Sequence, residues 1–374
     1  MTSSATSEVA SKLANPGLEG VVVADTAISE VDGERGRLVI AGADVEPLAA
    51  STGFEGAVRA VLAAGGADPA ALGSAADAGL GAARAAAWEC VARLGDALDH
   101  PDAMDALRTA LGHLRPQPGR AGDSADTADA LAAIGAAPVF VAAWHRRRAG
   151  QPAIAPDPAL GHAADYLRMT LGRPADAAGV RALDAYLVTV IDHAMSASTF
   201  TARVIASTAS DLISAVVGAV GALKGPLHGG APGPVLDMLD AIGAPDRAEP
   251  WLTGELAAGR RIMGMGHRVY RVRDPRAAVL ESAVRPLASP RLELARAVER
   301  AAAKILRERK PDRSLAANVE FYTAVLLDAV GLPREQFSAT FAVSRIAGWS
   351  AHVIEQRRTG RLIRPASHYT GKMP

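Results

Sequence analysis

The sequence predicts an all-α protein with one short β-hairpin near its start, and three observations carry that expectation. Ala-, Leu- and Arg-rich segments punctuated by Pro and Gly fill most of the chain, with no regular alternation of strands and helices to suggest a parallel sheet. Residues 21–40 hold two β-branched runs around Val31-Asp-Gly-Glu-Arg-Gly36, whose glycines suit turn conformations that other residues resist. The length of 374 residues, 49% of them hydrophobic, exceeds what one core usually supports, so one large domain should carry a smaller one.

Individual elements follow from local chemistry. Ser289 offers a helix N-cap and Pro290 the first helical position, after which Ala295, Val298, Ala302 and Ile305 mark an apolar face. Arg291, Arg300, Lys304 and Arg307 are left to water. The apolar run from Leu212 to Leu223 lies between Asp211 and Lys224 and is shorter than the roughly 18 residues of a membrane span, so it predicts a buried core helix. Ala-rich residues 60–88 and 130–143 fit close-packed helices. Residues 116–129, rich in Pro, Gly, Ser and Asp, predict a mobile loop, and the basic run 145–148 a solvated helix end. The first 14 residues are polar, lack the basic segment and apolar run of a secretory leader, and predict a frayed tail. No repeat of solenoid period is present.

Forty basic residues balance forty acidic ones, so the global field draws the chain neither to nucleic acid nor to an anionic membrane. Any anion site must be local. A single cysteine, Cys90, excludes an internal disulfide framework, suits a reducing cytoplasm, and predicts a small buried apolar residue.

Three segments set histidine among glycine or small residues: Asp192-His-Ala-Met-Ser-Ala-Ser198, Lys224-Gly-Pro-Leu-His-Gly-Gly230 and Gly264-Met-Gly-His-Arg-Val-Tyr270. Flanking glycines let a ligand approach the backbone and reach its amides. One such histidine reads as structural, whereas three in one chain point to a site. Metal is disfavoured, because the histidines lie more than thirty residues apart with neither a His-Glu-x-x-His pattern nor a cysteine cluster. Gly264-x-Gly266 lacks the third glycine and the strand-turn-helix setting of a dinucleotide fingerprint. Arg268, Arg271, Arg273 and Arg276 follow His267, and Arg345 and Arg364 stand further on; guanidinium forks match carboxylates and phosphates, although most arginines are surface charges. Asn318-Val-Glu-Phe-Tyr322 places Glu320 among apolar neighbours, where burial could tune it as a proton acceptor; in isolation a helix-start glutamate helped by the macrodipole is the better reading, and context decides.

Taken together, these segments resemble the citrate synthase family. The resemblance is carried by Gly20-Val-Val-Val-Ala-Asp-Thr-Ala-Ile-Ser29, Leu-His-Gly-Gly, Gly-His-Arg-Val-Tyr followed by Asp-Pro-Arg, Asn-Val-Glu-Phe-Tyr, and Phe341-Ala-Val-Ser-Arg-Ile-Ala-Gly-Trp349. It runs from about Asp192 through Tyr369 and is weak over residues 53–130. It implies a large helical domain, residues 1–230 and 336–374, and a small mobile one, residues 231–335, closing over the site. It implies condensation of acetyl-CoA with oxaloacetate, with no metal and no redox cofactor. His228 would hydrogen-bond the thioester oxygen, His267 polarise the oxaloacetate carbonyl, and Glu320 remove the methyl proton. His193, Arg276 and Arg345 would grip oxaloacetate, and Arg364 would reach it from the partner of a homodimer. Arg271 with the backbone of Met263, Gly264 and Gly266 would meet CoA.

Two positions depart from the family pattern. Glu320 stands where aspartate is common, and Ser196 where asparagine usually follows the Met. A 2-methylcitrate synthase using propionyl-CoA shares the same catalytic pattern, since one methylene in an apolar pocket discriminates by only about 1–3 kcal/mol. A non-catalytic relative binding CoA or a dicarboxylate is the rival from another class.

Overall fold

The computed structural model describes residues 17–373, apart from 19, 74–78, 116–122, 229–231 and 310–314. Met1 to Ala14, read as a frayed tail, lie outside the described residues. Strands β1 (Ser29–Asp32), β2 (Arg37–Ile40) and β3 (Ala43–Asp44) form one small antiparallel sheet in that order. Ser29 pairs with Ile40 and Asp32 with Arg37, which leaves residues 33–36 as the turn. The expected hairpin is therefore present but begins at Ser29, not Val21, and gains a two-residue third strand. Residues 21–26 have no strand partner among the described residues.

Among the described residues, fifteen α-helices follow. The first group is α1 (Val45–Ser51), α2 (Phe54–Ala64), α3 (Leu80–Val91), α4 (Ala103–Leu111), α5 (Asp123–Arg148), α6 (His162–Leu171), α7 (Ala177–Thr189), α8 (Ala197–Ala206) and α9 (Leu212–Leu223). Next come α10 (Pro232–Ile242), α11 (Ala248–Ala257), α12 (Pro275–Val284), α13 (Pro290–Arg309) and α14 (Val319–Ala329), and α15 (Phe337–Thr359) returns to the first group. Two long helices organise the core. Helix α15 is buried continuously from Ala339 to Gln356 and packs on α2, α5, α8 and α9. Its apolar residues lie on every face, which needs such complete enclosure, and its buried charges Arg345 and Glu355 find partners in Val190 and Arg203. Helix α5 crosses α3 where small residues meet, and a Cβ on Gly135 would lie 2.5 Å from the Ala83 Cβ. Helices α10 to α14 pack chiefly on one another, α12 on α14 and α11 on α13, and meet the first group through α7. The candidate site lies along that seam.

Local chemistry explains the helix ends. Asp211 caps α9 by accepting the Ser214 N–H at 2.8 Å, and the helix is a core helix as expected. Ser289 Oγ accepts the Arg291 N–H at 3.3 Å, and the predicted stripe of α13 is buried. Several expectations need correction. Residues 123–129, assigned to a loop, already belong to α5; Ser, Asp and Thr there suit a helix's first turns as well as a turn region. Helix α5 is also long and apolar enough to cross a membrane by length and composition, but most of it is inside the protein. Arg146 is buried and donates to the Pro152 carbonyl at 2.6 Å, so the end of α5 is not simply solvated. Arg291 bridges helices through Asp240 and Asp328 at 2.5 and 2.7 Å. Cys90 is only half-buried.

Candidate active site

Five chain segments bring the predicted residues together. His193 lies on the turn after α7, His228 after α9, His267 on the loop between α11 and α12, Glu320 in the first turn of α14, and Arg345 within α15. Arg276 occupies the first turn of α12. Arg345 is the common neighbour, close enough for its charge to act on His193, His228 and Glu320.

The turn carrying His193 is held from below. Asp192 is fully buried and receives the Ser29 hydroxyl and the Ala194 N–H, the latter at 3.1 Å, with His352 Nε2 at 3.3 Å. Burial opposes its ionisation, but His352, Arg345 and Ser29 outweigh burial and hold its pKa below the usual carboxylate range. Ala194 adopts φ +49°, a left-handed conformation rare for alanine. His193 Nε2 meets the Tyr270 hydroxyl at 3.1 Å, and its ring centroid lies 5.5 Å from that of His267, edge to face.

Hydrogen bonds fix where each imidazole keeps its proton. The Ser198 amide donates to His228 Nε2 at 3.2 Å, so Nε2 is an acceptor and the ring proton sits on Nδ1. The Ser198 hydroxyl is 2.7 Å from the same nitrogen and accepts the Trp349 indole N–H at 3.1 Å. At His267 the arrangement is reversed: Nδ1 accepts the Val269 and Tyr270 amides at 3.0 and 3.1 Å, which leaves Nε2 carrying the proton. Burial and the Arg276 charge push His267 down to about 4. Burial, then Arg276, Arg345 and His267, push His193 well below its ordinary value, and burial with Arg345 lowers His228. All three are neutral donors or acceptors at neutral pH.

Glu320 behaves oppositely. Burial raises it to about 7, and the Asp274 charge adds to the rise against the opposing pull of Arg276 and Arg345. Its Oε2 is buried without a hydrogen-bond partner. Asn318 caps α14, accepting the Glu320 N–H at 3.0 Å while its own amide donates to the Gly266 carbonyl at 2.9 Å. Glu320 and the His267 loop are thereby tied together. Arg276 is clamped by Asp274, whereas Arg345 donates from Nε to the Val190 carbonyl at 2.7 Å and leaves Nη2 buried and unpaired. An unpaired buried guanidinium nitrogen is costly unless an anion completes it.

Neutral imidazole donors, a carboxyl group poised near neutrality and an incomplete arginine make a site for enolising a carbon acid beside a carboxylate-bearing partner. The match to known proteins is equally direct: the family model for the citrate synthase C-terminal domain covers residues 17–366. The chain belongs to the citrate synthase family. It is 41% identical to the citrate synthase of Deinococcus radiodurans over 280 residues, covering 73% of each chain. It is 37% identical to the 2-methylcitrate synthase of Mycobacterium tuberculosis over 363 residues, 95% of this chain and 90% of that one. The ternary complex of citrate synthase from Thermoplasma acidophilum with carboxymethyl coenzyme A and oxaloacetate superposes with a TM-score of 0.83 at 27% identity, over 96% of both chains.

Three further predicted residues, Arg364, Gly264 and Gly266, each meet other parts of the chain. Arg364 is exposed on the extended C-terminal segment, where it lines a groove of about 930 Å³ with Val23, Arg203 and Glu355, away from the histidines of its own chain. Gly264 and Gly266 were expected to open backbone to a ligand, and both also admit the chain's own 315–321 segment. At φ +74° and +86°, a Cβ on either would lie 2.9 Å from Phe321 or Leu315. Their backbone already pairs with that segment: Gly266 N–H to the Ala316 carbonyl at 2.8 Å, and the Gly264 carbonyl to Asn318 N–H at 3.0 Å. Met263 is half-buried beside them, and Arg271 is exposed with Nε 3.9 Å from Glu34. Ser196, in place of the usual asparagine, caps α8 and shares a hydroxyl cluster with Ser198 and Thr199 at 3.2 and 2.9 Å.

Sequence reasoning assigned no role to Tyr270, Asp274, Ser198 or His352. Asp274 and Tyr270 stood inside quoted motifs, so proximity to Arg276 and His267 was the available signal. Ser198 closed the quoted His193 segment, and nothing local marked His352. Among the described residues no group of three His, Cys, Asp or Glu could hold a metal ion.

Proposed function

We propose that this protein condenses acetyl-CoA with oxaloacetate to give citrate and CoA. The observation that carries the reading is the opposed proton placement on His228 and His267, Nδ1–H on one and Nε2–H on the other, with a carboxyl of pKa about 7 at Glu320. Glu320 takes a proton from the acyl methyl group while His228 Nδ1–H stabilises the enol oxygen. The new carbon nucleophile attacks the keto carbon of oxaloacetate, whose oxygen His267 Nε2–H polarises. Water then cleaves the resulting thioester. Acid–base groups supply every proton movement, so the step needs no metal or redox cofactor.

His193, Arg276 and Arg345 are assigned to the oxaloacetate carboxylates, with the unpaired Arg345 Nη2 as the waiting contact. Arg271 and the backbone at Met263, Gly264 and Gly266 are assigned to CoA. Residues 231–335 act as a small domain that closes on the substrates and excludes water, which protects the thioester from hydrolysis. The exposed Arg364 supports a homodimer in which it completes the partner's site. The single cysteine supports a cytoplasmic setting, where citrate formation would feed the tricarboxylic acid cycle.

Release of CoA thiol from acetyl-CoA and from propionyl-CoA, each with oxaloacetate, tests the reading. Preference for acetyl-CoA supports it. Preference for propionyl-CoA assigns 2-methylcitrate formation, which the Mycobacterium tuberculosis relative makes the second reading. CoA binding with no thiol release from either would mark a non-catalytic relative.

A further inference from the structure

The loop that presents His267 is anchored at both ends, and in its middle the buried Tyr270 packs against His193 and His267. Gly266 is tied to Ala316 and Asn318, and the Asp274 N–H donates to the Ala317 carbonyl at 3.3 Å. On either side of Tyr270, Val269 and Val272 remain 42% and 44% exposed, so apolar burial contributes little at those two positions. Yet the amides of Val269 and Tyr270 are the groups that set the tautomer and orientation of His267. A second contact supports the backbone on either side of Tyr270.

That support comes from the turn between β1 and β2, more than 230 residues earlier in the chain. The Arg271 N–H donates to the Gly33 carbonyl at 2.9 Å. Gly33 lies so close that an added Cβ would sit 2.3 Å from the Val269 carbonyl oxygen and 3.0 Å from its Cγ1. At Gly36 an added Cβ would sit 2.5 Å from Val272 Cγ2 and 3.3 Å from the Arg273 carbonyl oxygen. Gly36 also needs its left-handed φ of +64°, so the turn alone explains a glycine there; Gly33 has no such requirement. Close approach to the loop is what demands glycine at position 33.

We infer that Gly33 and Gly36 are positioning residues: the hairpin tip braces the Val269 to Arg273 backbone, and through it the donor nitrogen of His267. The two glycines touch no substrate. They set how far the loop can lie from the site, because a backbone carbonyl has no rotamer by which to evade a new methyl group. Ordinary contact would require the strand turn and loop to separate by about 1 Å, and a displacement of that size at a reacting group costs on the order of 10²-fold in rate.

The test is Gly33→Ala, with Arg35→Ala as a control in the same turn, since the Arg35 side chain is 83% exposed. Two readouts are needed because the catalytic half of the inference rests on the proposed role of His267. In the substrate-free protein, the imidazole ¹⁵N and ¹H resonances of His267 should move in Gly33→Ala and stay put in Arg35→Ala. In the condensation assay kcat should fall between about 10- and 100-fold, with the affinity for CoA nearly unchanged. If the ring resonances move but wild-type protein condenses nothing, the brace stands and the functional reading fails. Unmoved resonances, or equal effects from Arg35→Ala, overturn the brace. Should Gly33→Ala not fold, hydrogen exchange in the wild-type protein decides: the Arg271 amide should be protected, and exchange at the rate of a free peptide would overturn the inference.

Discussion

The Asp274 carboxylate grips Arg276 through both oxygens, receiving Nε at 3.0 Å and Nη2 at 2.8 Å, and its Oδ2 also accepts the Val319 N–H at 3.2 Å. One buried side chain thus aligns the Arg276 guanidinium and the start of the helix that carries Glu320. Burial alone would disfavour the Arg276 charge, but the Asp274 pairing outweighs it and raises the pKa of Arg276. Asp274→Asn keeps the shape and removes the charge. Breaking a buried pair from one side costs about 3–5 kcal/mol, so denaturant unfolding should show a loss of that order. The KM for oxaloacetate should rise at least about tenfold, as loss of more than about 1.4 kcal/mol of binding requires. A variant within 1 kcal/mol of wild type with unchanged KM would mean that Arg276 is held by its packing, not by this clamp.

Gly348 in α15 shows a second steric constraint on the site. A Cβ there would lie 2.4 Å from the Ile191 carbonyl oxygen and 2.5 Å from Asp192 Oδ1, directly beneath His193. Gly348→Ala suits helix propensity and should nevertheless destabilise the fold by about 1–3 kcal/mol, the usual cost of overpacking. Oxaloacetate affinity should weaken while affinity for CoA is spared, because the strained turn carries His193. Equal losses for both substrates would show that the helix has shifted as a whole.

Much of this arrangement could be read along the chain, and the part that could not shares one physical cause. The helix-rich character followed from Ala and Leu content, α13 from Ser289-Pro290 and its apolar stripe, and the three histidine segments from their glycines and order. Each of those signals is local. The reason for Gly33 is a carbonyl at Val269, and the reason for Gly264 is the ring and backbone of Phe321; neither partner is adjacent in sequence. Glycine at position 33 therefore read as a turn residue, and the packing of Gly264 on Phe321 had no signal in the sequence. The start of α5 failed for a different reason, since Asp and Ser favour helix N-termini and loops alike.

Arg364 tests assembly together with chemistry. Arg364→Ala and His267→Ala should each abolish condensation in a homodimer. If Arg364 completes the partner's site, subunit exchange between the two variants can gather both defects into one site and leave the other intact. Activity should then return toward a quarter of wild type, half of the dimers being mixed with one working site each by simple combinatorial mixing. Demonstrated heterodimers without activity would place Arg364 outside the site.

Glu320 makes the most demanding prediction, because one group must account for both a rate and a stability. As the base it must be ionised, so kcat/KM should fall as pH drops through about 7, the value to which burial raises it. Glu320→Gln is nearly isosteric and cannot accept the proton, and turnover should fall at least about 10²-fold. Stability should move the other way. With its pKa raised from 4.5 to about 7, the native carboxyl keeps its proton where the unfolded chain has lost it. Its stabilising contribution is therefore complete below about pH 4.5 and is lost as pH rises through about 7. Above that window the ionised group costs about 3 kcal/mol. The Gln variant never ionises, so it should match wild type near pH 5 and exceed it by about that amount at pH 8 in denaturant melts. The neighbouring charges of Arg276, Arg345 and Asp274 are common to both proteins and do not reverse the sign. Glu320→Asp adds the geometric half of the test: a pocket adapted to glutamate loses rate when the carboxylate is drawn back, whereas a gain would show that the longer side chain is misaligned. Parallel stability curves at pH 5 and pH 8, with turnover preserved in the Gln variant, would remove Glu320 from the reaction.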